Sequence, residues 1–230
     1  MKTIGLIGGM SWESSVEYYR IVNQAVRRRL GGLHSAQCVM FSFDFTEIVA
    51  LQRKAAWDEA ASRMIEAGNA VKKAGADFIV ICTNTMHKLA PALEAAVPIP
   101  LLHIADPTAR EAKARGIRKI GLLATKFTME EEFYVERLSR LHGLEVLVPE
   151  SSDRQRVHSI IFDELCQGRV LNESRTRMQA IIQSLADKGA QGIMLGCTEL
   201  GLLIKDRDCP LPLFDTTVLH AEAAAEMAMA

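Results

Sequence analysis

No sign of charge dominates this 230-residue sequence: 27 Lys and Arg stand against 28 Asp and Glu, a net charge of −1. A near-neutral chain carries no broad field for polyanions, which excludes a dedicated nucleic-acid binder. The basic run Arg27-Arg28-Arg29 reads as a solvated helix end. No stretch reaches the roughly 18 consecutive apolar residues that a membrane span needs, so no membrane partner is expected. The opening MKTIGLIGGMSW starts a strand almost at once. It lacks the long apolar stretch and small-residue cleavage site of a signal peptide, and none is expected. The cysteines are odd in number and scattered: Cys38, Cys82, Cys166, Cys197 and Cys209. That usage fits a reducing, cytoplasmic setting rather than a disulfide framework.

Cofactor motifs are missing as well. Gly5-x-x-Gly8-Gly9 is not the dinucleotide pattern G-x-G-x-x-G, and no G-x-x-x-x-G-K-[ST] occurs. The histidines are His34, His87, His103, His142, His158 and His220, and none forms an H-E-x-x-H or sits with a C-x-x-C. No metal site is therefore expected. His87 and His103 lie near strand ends and read as structural histidines that could orient neighbouring groups.

What the sequence does contain is alternation. Thr3-Ile4-Gly5-Leu6-Ile7 reads as a buried strand ended by the Gly8-Gly9 turn. Ser14-Ser15-Val16-Glu17 has capping-box spacing and predicts a helix start. Val16, Tyr19, Val22, Val26 and Leu30 predict its apolar face, and Gly31-Gly32 its stop. A second strand is predicted over 39–45, a long helix over 55–73, and a third strand over 78–81. Short apolar runs alternating with amphipathic helices predict an α/β fold with largely parallel sheet.

The sequence also echoes itself. Ile4-Gly5-Leu6-Ile7 recurs as Ile120-Gly121-Leu122-Leu123, Gly75-Ala76-x-x-Ile79 as Gly189-Ala190-x-x-Ile193, and Pro98-x-Pro100-Leu101 as Pro210-x-Pro212-Leu213. The order is kept and the offset drifts slowly, from 116 to 114 to 112. Such a repeat predicts two similar α/β lobes related by a pseudo-twofold axis, with a cleft between them. The boundaries expected are 1–103 plus 213–230 for the first lobe and 104–212 for the second.

Ligands of parallel α/β sheets bind beyond the carboxyl ends of the strands. Those ends here are rich in small polar groups: Gly8-Gly9-Met10-Ser11, Thr83-Asn84-Thr85, Ala124-Thr125 and Cys197-Thr198-Glu199. The ungapped offset of 114 sets Thr83 against Cys197 and Asn84 against Thr198. At such a strand-to-helix turn, backbone N–H groups favour an anion, and a thiol can be pulled below its usual pKa of about 8.5. Cys197 is therefore a candidate base or nucleophile. Cys38, Cys166 and Cys209 are expected to be small buried hydrophobes.

IVICTNTMH over 79–87 and MLGCTELGLL over 194–203 resemble the two signature segments of the aspartate/glutamate racemase family. IGLIGGMSWESS over 4–15 resembles its aspartate-racemase branch, and IIFDELCQG over 160–168 and PLFDTT over 212–217 extend the likeness along the chain. The resemblance implies two α/β lobes with the active site between them, and a homodimer. It implies catalysis without pyridoxal phosphate, metal or nucleotide. One family cysteine takes the α-proton of an amino acid and the other returns a proton on the opposite face.

The sequence departs from the family where Cys is usual directly before Asn-Thr, because Thr83 stands there and Cys82 comes one residue earlier. Either Thr83 replaces the first cysteine as proton donor, or Cys82 reaches the substrate through a local irregularity. Neighbouring strand residues point to opposite faces, and the internal alignment pairs Thr83 with Cys197, which favours Thr83. A hydroxyl is a far poorer base than a thiolate. The resemblance therefore implies that Cys197 deprotonates L substrates and that turnover is asymmetric in favour of L. It also carries substrate-contacting roles to Met10, Gln52, Asn84, Thr85, Thr125, Thr198 and Glu199. A neutral Gln52, where the family carries a cation for a distal carboxylate, leaves the amino acid open among aspartate, glutamate and polar neutral species. Two alternatives stand beside the racemase: another carbanion enzyme acting on a dicarboxylate, and a non-catalytic amino-acid-binding protein.

Overall fold

A computed structural model describes residues 1–230, which divide into two compact units. Unit 1 comprises Met1–Ile104 and His220–Ala230, and unit 2 comprises Ala105–Leu219. The chain returns to unit 1 later than the expected residue 213, because the last strand pairs within unit 2.

Unit 1 runs β1 (Ile4–Gly8), α1 (Trp12–Leu30), β2 (Cys38–Ser42), α2 (Phe45–Arg53), α3 (Trp57–Lys73), β3 (Phe78–Ile81), α4 (Ala90–Ala96) and β4 (Leu101–Leu102). Unit 2 runs α5 (Ala105–Ala114), β5 (Lys119–Ala124), α6 (Lys126–Glu130), α7 (Glu132–Glu136), β6 (Glu145–Leu147), α8 (Ser151–Ser159), α9 (Asn172–Asp187), β7 (Gly192–Gly196), α10 (Leu200–Leu203) and β8 (Leu213–Asp215). The terminal helix α11 (Thr216–Met229) starts in unit 2 and continues as the last segment of unit 1. Each unit holds one four-stranded sheet, ordered β2-β1-β3-β4 and β6-β5-β7-β8. Every strand pair is parallel.

The internal echo is structural. Gly75 and Gly189 end equivalent helices with φ of 97° and 93°, a conformation glycine adopts without steric cost. The Ala76 amide donates to the Val71 carbonyl and the Ala190 amide to that of Leu185, both at 3.0 Å. Ile79 donates to Pro100 at 2.8 Å, and Ile193 to Pro212 at 2.9 Å. The two Pro-x-Pro-Leu segments thus perform the same task, which is to start the edge strand.

In unit 1 the strand pleat divides the core. Ile7, Ile79 and Ile81 face α2, α3 and α4, where Ile48, Met64, Val71 and Leu93 are buried. Ile4, Leu6, Phe78, Val80 and Cys82 face α1 and α11, packing on Tyr18, Ile21, Val22, Ala221 and Ala224.

Several local expectations are corrected. Helix α1 starts at Trp12, with Ser11 as N-cap accepting from the Ser14 amide, rather than at the predicted capping box. Its buried face is Ser14, Ser15, Tyr18, Ile21, Val22 and Val26, while Val16, Tyr19 and Leu30 are exposed. The apolar residues of α1 mark two stripes, and the stripe carrying the small serines fits against the sheet. Strand β2 ends at Ser42, because Asp44 caps a separate helix, α2. The long helix predicted over 55–73 is unbroken but begins later, at Trp57, because Ala55 takes a positive φ of 51°.

Candidate active site

The candidate residues follow the carboxyl ends of the two central strands of each sheet. In unit 1, the Gly8-Gly9-Met10-Ser11 turn follows β1 and Thr83-Asn84-Thr85 follows β3, its neighbour in the sheet. In unit 2, Thr125 follows β5 and Cys197-Thr198-Glu199 follows β7, again its neighbour.

The first turn is locked by side chains. Ser15 Oγ accepts from the Gly9 amide at 2.8 Å and donates to the Ser11 carbonyl at 3.1 Å. Gly9 has φ of 82°, and a Cβ there would lie 2.3 Å from the Phe43 backbone, so only glycine fits. Met10 is buried within the apolar cluster of Ile7, Phe43 and Ile48. Gln52, on α2, is buried, and its amide nitrogen lies 3.2 Å from the Met86 sulfur. That contact ties α2 to the 3-10 turn Thr85–Leu89. Asn84 and Thr85 are buried, and Thr83 is half-buried.

The two readings of the first signature separate here. Cys82 continues the face of Phe78 and Val80 and lies in the apolar cluster under α1 and α11. Burial pushes its thiol far above the usual range. Thr83, one residue on, leaves that face.

In unit 2, Thr125 is buried with its hydroxyl 3.2 Å from that of Thr128. His158 accepts the following Lys126 amide on Nδ1 at 3.3 Å. Around Cys197 the chemistry is denser. The Cys197 thiol donates to Glu199 Oε2 at 3.0 Å, and the Thr198 hydroxyl donates to the same oxygen at 2.7 Å. Cys197 and Glu199 are buried, and Thr198 is half-buried. Burial first, then the Glu199 charge, push the Cys197 thiol well above its ordinary range.

This runs against the expectation of a thiolate stabilised by a helix start. The helix that follows, α10, has only four residues, and the Glu199 carboxylate lies 3.0 Å from the sulfur, where burial and its charge both disfavour the thiolate.

The remaining cysteines, Cys38, Cys166 and Cys209, are half-buried rather than buried as expected, and none forms a disulfide. No group of three His, Cys, Asp or Glu side chains is placed to hold a metal ion. Sequence reading did not single out Tyr18 or His220, which meet 2.7 Å apart although 202 positions separate them. No local pattern carries a contact of that range.

The chain matches the profile of the Asp/Glu/hydantoin racemases over residues 7–224. It is 52% identical to a candidate Asp/Glu racemase from Yersinia pestis, with all of both chains covered and a TM-score of 0.93. It is 33% identical to an aspartate racemase homologue from Pyrococcus horikoshii, again with full coverage of both chains, at a TM-score of 0.86. Among curated proteins, the broad specificity amino-acid racemase RacX of Bacillus subtilis is 23% identical over 75% of this chain and 74% of its own.

Proposed function

The chain belongs to the Asp/Glu/hydantoin racemase family, an isomerase acting on amino acids, and from that premise we propose that Cys197 and Thr83 are its opposed acid–base pair. The observation that carries the proposal is the 3.0 Å contact between the Cys197 thiol and the Glu199 carboxylate at the end of β7. A buried thiol beside a buried carboxylate is poor design for a packing residue and good design for a proton carrier.

In this reading the thiol proton passes to Glu199 as the amino acid binds, since the substrate ammonium offsets the negative charge that otherwise disfavours a thiolate. The thiolate takes the α-proton from the L face. The Thr83 hydroxyl gives a proton to the opposite face of the resulting carbanion. Positioned acid–base groups contribute about 100- to 10,000-fold each to such transfers. Asn84, Thr85, Thr125 and Thr198 supply hydroxyl and amide partners for the substrate carboxylate and amine. Cys82 takes no part, because it lies in the apolar core.

Gln52 is neutral where the resemblance expects a cation for a second carboxylate, and it contacts Met86 in the apolar cluster that also holds Met10. Both features support broad specificity that includes polar neutral amino acids. RacX, as a broad-specificity racemase, makes the same suggestion. A homodimer in a reducing compartment belongs to this reading.

Two enantiomers have equal energy in achiral water, so kcat/KM is equal in both directions. Asymmetry shows instead as a larger kcat for L substrates, because Thr83 is a poor base. The test is α-proton exchange in D2O followed by proton NMR, with a panel of L- and D-amino acids. Exchange by the wild type, abolished in Cys197→Ser while ligand binding persists, is the expected result. Absence of exchange across the panel would leave a binding protein and defeat the proposal.

A further inference from the structure

We infer that His87 is a positioning residue that holds the Thr83 backbone in register for proton delivery, an inference that rests on the role of Thr83 proposed above. His87 lies in the turn Thr85–Leu89 and is 1% exposed. The Ile104 amide approaches its Nε2 at 3.1 Å. A backbone amide only donates, so Nε2 carries no proton and accepts. The ring proton of the neutral imidazole is then on Nδ1, which lies 2.7 Å from the Thr83 carbonyl oxygen and donates to it. Both nitrogens are committed in one tautomer, between Thr83 and Ile104. Ile104 is the last residue of unit 1 before the chain enters unit 2.

The ring is itself held. His103 packs against it with centroids 4.5 Å apart, and His220 with centroids 5.7 Å apart. His220 lies 2.8 Å through Nε2 from the Leu102 carbonyl and 2.7 Å through Nδ1 from the Tyr18 hydroxyl. A carbonyl only accepts, so His220 donates from Nε2 and accepts from Tyr18. His220 is also the first residue after the chain returns to unit 1. The groups that fix His87 therefore include both points where the chain changes unit, and its donated bond ends on Thr83.

Unit 2 has no counterpart. The equivalent position, by the offset of 114, is Gly201, where a Cβ would lie 2.6 Å from Asp215 Oδ2. Cys197 is held by Glu199 through its side chain instead. A weakly acidic hydroxyl depends on accurate approach to the carbanion, and a misplacement of about 1 Å costs about 100-fold in rate.

The experiment compares His87→Gln, His87→Asn and Thr83→Val in two reactions. The first is inversion of L-aspartate, L-glutamate and L-homoserine, read by optical rotation. The second is elimination from 3-chloro-L-alanine. There Cys197 takes the α-proton, the Cα–Cβ double bond forms and chloride leaves. The enamine then tautomerises and is hydrolysed by water to pyruvate and ammonium. Elimination needs no proton from Thr83.

Asn places an N–H near the Nδ1 position and keeps the bond to Thr83. Gln keeps an acceptor for Ile104 and loses that bond. His87→Gln should lose inversion by about 100-fold, in kcat rather than KM, while eliminating near the wild-type rate. His87→Asn should retain inversion. In the wild type, 15N NMR of the His87 ring should show a protonated Nδ1 and a bare Nε2. Unchanged inversion in His87→Gln, parallel loss of both reactions with or without unfolding, or the opposite tautomer would overturn the inference. Thr83→Val separates the two claims. If it inverts at the wild-type rate, the role of Thr83 fails. If it loses inversion and His87→Gln does not, only the positioning role fails.

Discussion

Cys197 and Glu199 are two residues apart in sequence, and the thiol of one donates to the carboxylate of the other at 3.0 Å. Burial raises the thiol, and the Glu199 charge raises it further. Replacing Glu199 with Gln removes the charge and leaves the burial, so the thiol of that variant should ionise at lower pH. Alkylation by iodoacetamide, followed against pH, should show a midpoint shifted downward in Glu199→Gln relative to wild type. Racemisation should fall in the same variant, because the proton acceptor is gone. A midpoint that stays in place would mean that the carboxylate does not control the thiol. Cys82 and Thr83 are separated at this scale too. Strand parity sends Cys82 into the apolar cluster with Phe78 and Val80, and parity was readable from Phe78-Ile79-Val80-Ile81 alone. The Glu199 contact was not readable, since adjacent letters do not state which way a side chain turns after a strand.

At the scale of elements, the repeat sets a comparison between the two units. Gly5 and Gly121 occupy equivalent places on β1 and β5, each under a helix. A Cβ at Gly5 would meet Ala76 Cβ at 2.8 Å and the Phe78 carbonyl at 3.1 Å. At Gly121 it would meet the tips of Ile193 at 2.8 Å and Leu185 at 3.0 Å. Flexible tips can move, whereas a Cβ and a carbonyl cannot without moving the chain. Gly5→Ala should therefore cost more than Gly121→Ala, in a range of about 1–3 kcal/mol. Equilibrium denaturation of both variants measures it, and the reverse order would be a failure.

The repeat was legible because both copies keep their glycines and Pro-x-Pro-Leu signals. The buried face of α1 was misread because two apolar stripes share that helix, and only the partner decides which is covered. Ser14 and Ser15 are buried while Val16 and Tyr19 are exposed, an order that periodicity alone would reverse.

For the whole molecule, the acid side of stability is set in unit 2. Asp106, in the first turn of α5, accepts two bonds from Arg137 at 2.7 Å and one from His142 at 3.0 Å. Burial alone would raise its carboxyl, but the Arg137 and His142 contacts outweigh it and hold the carboxyl below its ordinary value. A depressed folded-state value means that this stabilisation is present above the unfolded carboxylate pKa of about 3.9 and is lost as pH falls through the folded value. Asp106→Asn should lower the melting temperature at neutral pH. The gap to wild type should close as pH falls through the lowered folded-state value of this carboxyl. A gap independent of pH would assign the loss to packing. No helix of the chain is long and apolar enough to cross a membrane, in keeping with the absence of long apolar runs.

What the sequence determined by itself was whatever is local or repeated. Strand runs, glycine stops, two α/β halves and the polar segments at the strand ends all follow from periodicity and spacing, and the two signature segments point to the family. What only the tertiary structure decided was whatever depends on a partner distant in the chain or on burial. It chose the covered stripe of α1 and joined Tyr18 to His220. It committed both ring nitrogens of His87, and it placed the Cys197 thiol against the Glu199 carboxylate. The physical reason is common to all four. A side chain's charge, tautomer and exposure are fixed by the groups around it, and those groups are neighbours in space before they are neighbours in sequence.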